Sequence, residues 1–205
     1  LGRSAKDFGE TAYKLALGGC PLIKDDHSLF NQSYAPFKDR VKACVDSVNN
    51  ANAKTGGRSL YIANCTADSM EFLERAMTAQ ELGAGGIMAA PGLLGLSIIR
   101  ELSSAPDFHL PIFLHPCFSG PLVLSADSGV SPFCYYGQFS RLAGADAAIF
   151  TSFGGRFPFT EEVCRKICDG TETEMGGLRS IFPVPSGGMK WQLSLIHISE
   201  PTRPY

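Results

Sequence analysis

Three side chains suited to acid–base or metal chemistry, Lys24, Asp26 and His27, stand at the end of a short apolar run. The run 20–26 has the length and composition of a buried strand, in which successive side chains point to opposite faces. Lys24 and Asp26 therefore share a face, and His27 follows one step beyond. A protonated lysine cannot bind a cation, so Lys24 either forms an ion pair with Asp26 or loses its charge and joins a metal site. Both interpretations are open from spacing alone.

Polar residues also stand at the ends of the other predicted strands. Apolar runs alternate with helical periods along the chain. The predicted strands are 20–26, 59–64, 86–90, 110–115, 147–152 and 180–184, and the predicted helices are 4–17, 36–54, 69–82, 93–102, 133–142 and 161–167. Asn64, His115 and the turn 186–188 lie at or just after strand ends. Six strands in alternation with six helices predict a parallel sheet with right-handed crossovers.

Two α/β architectures are compatible with this order, an open doubly wound sheet and a (β/α)8 barrel. A nucleotide-binding doubly wound sheet carries its glycine-rich turn after the first strand, whereas the glycine cluster 83–86 precedes a strand. In a barrel the functional residues gather at the carboxyl ends of many strands, as they do here. We predict an incomplete (β/α)8 barrel with about six of its eight strands, because such a barrel needs about 250 residues.

Composition and charge exclude several classes of partner. The chain has 205 residues, 44% of them hydrophobic and 19% charged, with a formal net charge of -2, which is typical of one globular domain. Without a basic run we expect no nucleic-acid or anionic-membrane partner, and no apolar run reaches the roughly 18 residues of a membrane span. Seven scattered cysteines indicate a reducing compartment, so we expect a cytoplasmic protein.

We expect both ends of this sequence to differ from those of the native protein. Segment 193–205 resembles the translation of a sequencing-library adaptor, so we expect it not to be native and assign the domain to residues 1–192. The chain begins without methionine, and we expect further sequence upstream.

Segment 19–27, GCPLIKDDH, resembles the activation motif G-x-D-F-x-K-x-D-E of the ribulose bisphosphate carboxylase large-chain superfamily. Similar stretches at 1–6 (LGRSAK), 53–56 (AKTG) and 183–188 (PVPSGG) extend the resemblance to about residue 189. It implies a barrel in which Lys24 takes up CO2 as a carbamate and, with Asp26, holds Mg2+, an ion that prefers oxygen ligands. His27 stands where the family has its third ligand, a glutamate. Since imidazole is a poorer Mg2+ ligand, the resemblance implies weaker or altered metal binding, or an imidazole that only forms hydrogen bonds there.

The sequence also departs from the family in two places. The carboxylases carry H-R-x-x-H after the fifth strand of their barrel. Segment 115–119 (HPCFS), which follows the fourth strand predicted here, keeps only the first histidine, His115, and lacks the arginine that binds a second phosphate. Region 147–159, which corresponds to the sixth strand of the family's barrel, contains no lysine like the one that the carboxylases close over CO2. The resemblance therefore implies the branch that does not fix carbon, whose members enolise or isomerise singly phosphorylated sugars, as in methionine salvage.

The same resemblance implies roles for the strand-end residues. Backbone N–H groups of Ser186, Gly187 and Gly188 would bind one phosphate, although a plain tight turn fits the same residues. Lys24 and His115 would be catalytic, with His115 either orienting a substrate oxygen or filling the barrel mouth, and Asn64 would support the site from behind. The shared step is proton abstraction beside a carbonyl while the metal stabilises the enediolate.

Partners and alternatives follow from the same comparison of motifs. The resemblance implies a phosphorylated small-molecule substrate and a homodimer or larger assembly. It also implies that this chain alone is inactive, since the family's amino-terminal domain and its first and eighth barrel strands have no counterpart here. Two alternatives are a non-catalytic binding or assembly protein that keeps the barrel and, less favoured, a true carboxylase.

Overall fold

A computed structural model describes residues 2–125, 127–155 and 157–188. Its six strands are β1 Leu22–Lys24, β2 Leu60–Asn64, β3 Gly86–Ala89, β4 Ile112–Leu114, β5 Ala147–Thr151 and β6 Phe182–Ser186. Every neighbouring pair is parallel, and the strands lie in the sheet in their chain order. The predicted parallel sheet is therefore confirmed, and all six carboxyl ends lie along one edge. Segment 193–205 lies outside the described residues.

Helices connect successive strands on one side of the sheet. They are α1 Ala5–Leu17, α2 Phe37–Thr55, α3 Ser69–Glu81, α4 Pro91–Leu94, α5 Leu96–Ser103, α6 Gly120–Val123, α7 Ser140–Leu142 and α8 Glu161–Glu172, with a π-helix at Phe133–Phe139 leading into α7. Helix α1 begins with a capping box, in which the Ser4 hydroxyl accepts from the Asp7 N–H and the Asp7 carboxylate accepts from the Ser4 N–H. None of the helices in the described part of the chain is both long and apolar enough to cross a bilayer.

Several predicted elements differ in detail from the observed ones; for example, β1 is shorter than the predicted strand 20–26, and α8 continues to residue 172 beyond its predicted end at 167. The helix predicted over 93–102 is two helices, α4 and α5, because Gly95 between them has a φ of 81°. The helix predicted over 133–142 begins as a π-helix, and a Cβ on its Gly137 would lie 2.4 Å from the backbone of Gly170 in α8. The strand predicted over 180–184 is shifted toward the carboxyl terminus, so that Ser186 is the last residue of β6.

The two faces of the sheet pack against different partners. The face toward the helices belongs to the main core and includes Ile23, Tyr61, Ala63, Ile87 and Leu114. The opposite face fills the interior of the barrel with Ile62, Met88 and Ile149, against which Phe113 and Val184 pack. Lys24 pairs in register with Ile62 and therefore belongs to the interior face. Asp25, one residue later, belongs to the helix face.

Candidate functional site

Lys24 ends β1 at the rim of the barrel. Its Nζ donates a hydrogen bond to the carbonyl oxygen of Asp25 at 3.0 Å, which holds the side chain against its own strand end. Burial lowers the pKa of Lys24, and the negative charges of Asp26 and Asp25 oppose that fall. A lowered lysine pKa increases the unprotonated fraction, which is the form that reacts as a nucleophile.

Asp25, a residue without a predicted role, anchors the end of β1 to the rest of the barrel. Its carboxylate accepts hydrogen bonds from the Tyr61 hydroxyl at 2.5 Å, the Asn64 N–H at 3.0 Å and Nε of Arg40 at 3.2 Å. Arg40 in α2 is fully buried and Asp25 nearly so. Burial raises the pKa of Asp25, while Arg40 and the two other donors oppose the rise. The sequence does contain a signal for this pair, because Arg40 lies within the apolar stripe of α2.

The loop that carries Asp26 and His27 is held by two buried side chains. Nδ2 of Asn64 lies within hydrogen-bond distance of the carbonyl oxygens of His27 (3.0 Å), Leu29 (3.2 Å) and Asp26 (3.5 Å). The guanidinium of Arg40 also donates to the Leu29 carbonyl oxygen and to those of two further loop positions, Phe30 and Ala35, at 3.1–3.2 Å. Asn64 therefore fixes the backbone of this loop, and its predicted part in the site stays a prediction.

Asp26 is exposed at the rim. Its Oδ1 accepts from the Ser28 N–H at 2.9 Å and from the Ser28 hydroxyl at 2.6 Å, and these two bonds lower the pKa of Asp26 against the opposing effect of burial. Oδ2 has no hydrogen bond to any other described residue. One carboxylate oxygen is therefore committed to the loop and the other faces solvent.

His27 and His115 meet across the mouth of the barrel. Their ring centroids are 4.5 Å apart and the ring planes differ by 14°, so the imidazoles are stacked. His115 directly follows β4, while His27 follows β1, and two strands of the sheet lie between these. Contact between them requires the sheet to curve, as it does in a barrel.

The chemical state of His115 is set by its surroundings. Its Nδ1 accepts a hydrogen bond from the Cys117 N–H at 3.1 Å. Burial, with smaller contributions from His27 and Lys24, lowers the pKa of His115 to about 4. At neutral pH the ring is therefore uncharged with its proton on Nε2, where it can donate to a substrate oxygen.

Pro116 and Ser119 occupy the positions of the family's arginine and second histidine. The Ser119 hydroxyl donates to the carbonyl oxygen of Pro116 at 2.6 Å and also lies 2.6 Å from the Tyr136 hydroxyl. Ser119 is 3% exposed. Its hydroxyl is committed to this buried network, so it does not replace the missing phosphate-binding group.

The turn after β6 contains two glycines in the left-handed region of φ. Gly187 and Gly188 have φ values of 84° and 93°, which favour glycine. The Ser186 hydroxyl donates to the carbonyl oxygen of Phe150 at 3.1 Å and is thereby held to β5. A Cβ on Gly155 would lie 2.4 Å from the Gly187 carbonyl oxygen, so the turn after β5 presses directly on this segment. The hydroxyl of Ser186 is engaged internally, and an anion would meet backbone N–H groups here.

The predicted metal ligands are brought to the same rim but do not form a three-ligand cluster as they stand. Among residues 2–125, 127–155 and 157–188, no group of three His, Cys, Asp or Glu side chains is placed to hold a metal ion. Nδ1 of His27 lies 3.7 Å from Oδ1 of Asp26. A metal site at this rim therefore depends on an additional donor, such as a modified Lys24.

Comparison with known proteins gives a consistent set of matches. The family model for the ribulose bisphosphate carboxylase large chain, catalytic domain, matches residues 1–198. A 5-methylthioribulose-1-phosphate isomerase from Rhodospirillum rubrum is 34% identical over 186 residues, which cover 89% of this chain and 47% of that protein. A 2,3-diketo-5-methylthiopentyl-1-phosphate enolase from Bacillus pumilus is 35% identical over 189 residues, which cover 92% and 46%. The chain spans about half the length of the curated relatives it matches.

Solved structures share the architecture. A Rubisco-like protein from Rhodopseudomonas palustris superimposes with a TM-score of 0.88 at 30% identity, covering 96% of this chain and 54% of that one. The octameric ribulose-1,5-bisphosphate carboxylase/oxygenase from Pyrococcus horikoshii gives a TM-score of 0.87 at 25% identity, covering 97% and 47%. These matches confirm the predicted incomplete (β/α)8 barrel.

Proposed function

Because the chain belongs to the ribulose bisphosphate carboxylase large-chain family, we propose that it is the barrel portion of an Mg2+-dependent enolase or isomerase acting on a singly phosphorylated keto sugar. The observation that carries the proposal is the composition of the barrel rim. Lys24, Asp26 and His115 stand there together, whereas Pro116 and the internally bonded Ser119 replace the residues that would bind a second phosphate. The names of the two curated relatives, an isomerase and an enolase of phosphorylated sugars, agree with this substrate class.

The donor set fits Mg2+ provided that Lys24 is modified. The unprotonated Nζ would add to the carbon of CO2, an electron pair of one C–O bond would move to oxygen, and the N–H proton would leave to solvent. The lowered pKa of Lys24 favours this reaction. The carbamate and Oδ2 of Asp26 would then supply two hard oxygen donors, as Mg2+ requires. Bound there, Mg2+ would stabilise the negative charge that develops on the substrate oxygens.

The remaining residues of the rim would bind and orient the substrate. The phosphate would bind at the N–H groups of Ser186, Gly187 and Gly188, where the positive φ angles let the backbone approach an anion closely. His115 would donate a hydrogen bond from Nε2 to the carbonyl oxygen of the substrate and would stabilise negative charge that develops there. The uncharged ring carries its one proton on Nε2, because Nδ1 accepts from the Cys117 N–H, so Nε2 is a donor at neutral pH.

The proposal is tested on the full-length gene product. We expect turnover of 2,3-diketo-5-methylthiopentyl 1-phosphate or 5-methylthioribulose 1-phosphate that requires both Mg2+ and bicarbonate and is lost in Lys24→Ala. Lys42→Ala, which removes an exposed lysine in the second turn of α2, is the matched control. Absence of turnover with both substrates would refute the substrate class, and incorporation of labelled bicarbonate into ribulose bisphosphate would establish a carboxylase instead.

A non-catalytic binding or assembly protein is the second candidate, and the lack of a three-ligand cluster among the described residues is the observation that favours it. Calorimetric titration separates the two. An enzyme of this kind must show saturable Mg2+ uptake in the presence of bicarbonate that disappears in Lys24→Ala. A homodimer or larger assembly is proposed for either case, and light scattering on the full-length protein measures it.

A further inference from the structure

The stacked pair of His27 and His115 links two loops that are distant in the chain. The rings are almost parallel, with a centroid separation of 4.5 Å, which is within the range of favourable aromatic stacking. Each ring is also tied through its own loop: Asn64 Nδ2 donates to the His27 carbonyl oxygen at 3.0 Å, and the Cys117 N–H donates to Nδ1 of His115 at 3.1 Å. The contact is therefore made between two fixed backbones.

The stacking contact uses the face of the His27 ring, whereas a metal ligand would use a ring nitrogen. An imidazole binds a metal through a ring nitrogen in the ring plane, and ligands of one ion converge on a common point. Among the described residues, His27, Asp26 and His115 do not form such a group, and the Asp26 oxygen nearest to Nδ1 of His27 is Oδ1. That oxygen is already bonded twice to Ser28. A face of the His27 ring is instead covered by His115.

The stacking contact restrains the orientation of the His115 ring more than its own loop does. The hydrogen bond from Cys117 holds one atom of the ring, Nδ1, and does not by itself fix the ring plane. A second ring lying flat against it removes this freedom and fixes the direction of the Nε2 proton. Holding a donor in one orientation before the reaction is a recognised source of catalytic advantage.

We propose that His27 is a positioning residue that orients His115 by stacking, and that it is not a ligand of the divalent ion. This inference rests on the proposed function, because it gives His27 a part in the enolisation that His115 assists. The ion is then held by the carbamate of Lys24, Asp26 and non-protein ligands. A ring without nitrogen can do what His27 does, whereas a ligand role requires the nitrogen.

Three substitutions in the full-length protein separate the two roles: His27→Phe, His27→Ala and His27→Glu. We expect Mn2+ affinity, measured by electron paramagnetic resonance with bicarbonate present, to be unchanged in the Phe and Ala variants. We expect kcat to fall about tenfold or more in His27→Ala and to be largely restored in His27→Phe, with little change in KM. His27→Glu should bind Mn2+ more tightly, since it adds an oxygen donor, yet lose kcat because it removes the stack.

The stacking contact between His27 and His115 is measured by NMR in the absence of metal and substrate. Ring protons of His115 should lie upfield in the wild type and in His27→Phe and should move downfield in His27→Ala. His109→Ala is the matched control, because His109 is an exposed histidine outside the site and its loss should change none of these readings. Circular dichroism and thermal melting establish that each variant is folded.

The outcomes that overturn the proposal are distinct from failure of the proposed function. A fall of about tenfold or more in Mn2+ affinity in His27→Phe would show that His27 helps to hold the ion, and would overturn its assignment as a residue that only positions His115. Equal His115 shifts in all variants would show that the stack does not form. If the wild type neither binds Mn2+ nor turns over either substrate, the proposed function and the role of His27 in it both fail, whatever the NMR shows of the contact.

Discussion

Replacement of Asp25 by asparagine tests the buried pair that anchors the end of β1. Asparagine keeps the size and one acceptor oxygen but removes the charge that balances the fully buried Arg40. Breaking one partner of a buried ion pair costs about 3–5 kcal/mol, because the other charge is left uncompensated. The asparagine oxygen can take the place of Oδ2, which accepts from the Asn64 N–H and Arg40, and its amide nitrogen can then donate to the Tyr61 hydroxyl. We therefore expect a loss near the lower end of that range, about 3 kcal/mol.

The loss is measured by urea unfolding of the full-length protein at neutral pH, followed by circular dichroism. Lys42→Met is the matched control, because it removes a charge from the same helix. Lys42 pairs with Asp46 at 2.9 Å, and both side chains are more than half exposed, so we expect a change below about 1 kcal/mol. Arg40→Met completes a double-mutant cycle with Asp25→Asn.

The cycle gives the decisive result. Each single variant leaves a buried charge or a set of loop carbonyls without a partner, whereas the double variant leaves no unpaired buried charge. We therefore expect the double variant to be less destabilised than the sum of the single ones by about 1 kcal/mol or more. Strict additivity, or a cost for Asp25→Asn no larger than that of Lys42→Met, would refute the assignment of Asp25 and Arg40 as a coupled anchor.

Three further predictions concern other parts of the structure. Gly155→Ala should weaken binding of inorganic phosphate in calorimetry, because its Cβ would meet the Gly187 carbonyl oxygen at 2.4 Å and displace the turn; unchanged affinity would contradict a phosphate site there. The His115 ring should titrate in NMR with a pKa of about 4, below its unfolded value of 6.5. The stability that the uncharged ring contributes is therefore present above pH 6.5 and is lost as the pH falls from 6.5 through 4. A midpoint near 6.5 would contradict its burial. Cys44, whose pKa burial raises to about 12, and the fully buried Cys65 should not react with Ellman's reagent until the chain unfolds, and rapid reaction in the native protein would count against the core described above.

The order of the elements and the location of the site could be predicted from the sequence. Alternation of period-two and helical patterns gave six parallel strands in chain order, since each crossover returns the chain to the same edge of the sheet. The same rule places Lys24, Asn64, His115 and Ser186 along one edge without knowledge of any side-chain contact. The points at which predicted helices are interrupted were less predictable. Gly95 divides a helix only because of its positive φ, which the residue type permits but does not require.

The contacts that determine the chemistry were decided by the tertiary structure. Asp25 and Arg40 lie on different elements, and their pairing depends on α2 packing over the end of β1, so Arg40 reads in the sequence as an irregularity in an apolar stripe. His27 and His115 are joined only because the sheet curves until the ends of β1 and β4 face each other. Local periodicity specifies which face a side chain occupies. It does not specify curvature, which results from packing the whole sheet around its interior, and for that reason the stacked pair could not be read from the sequence.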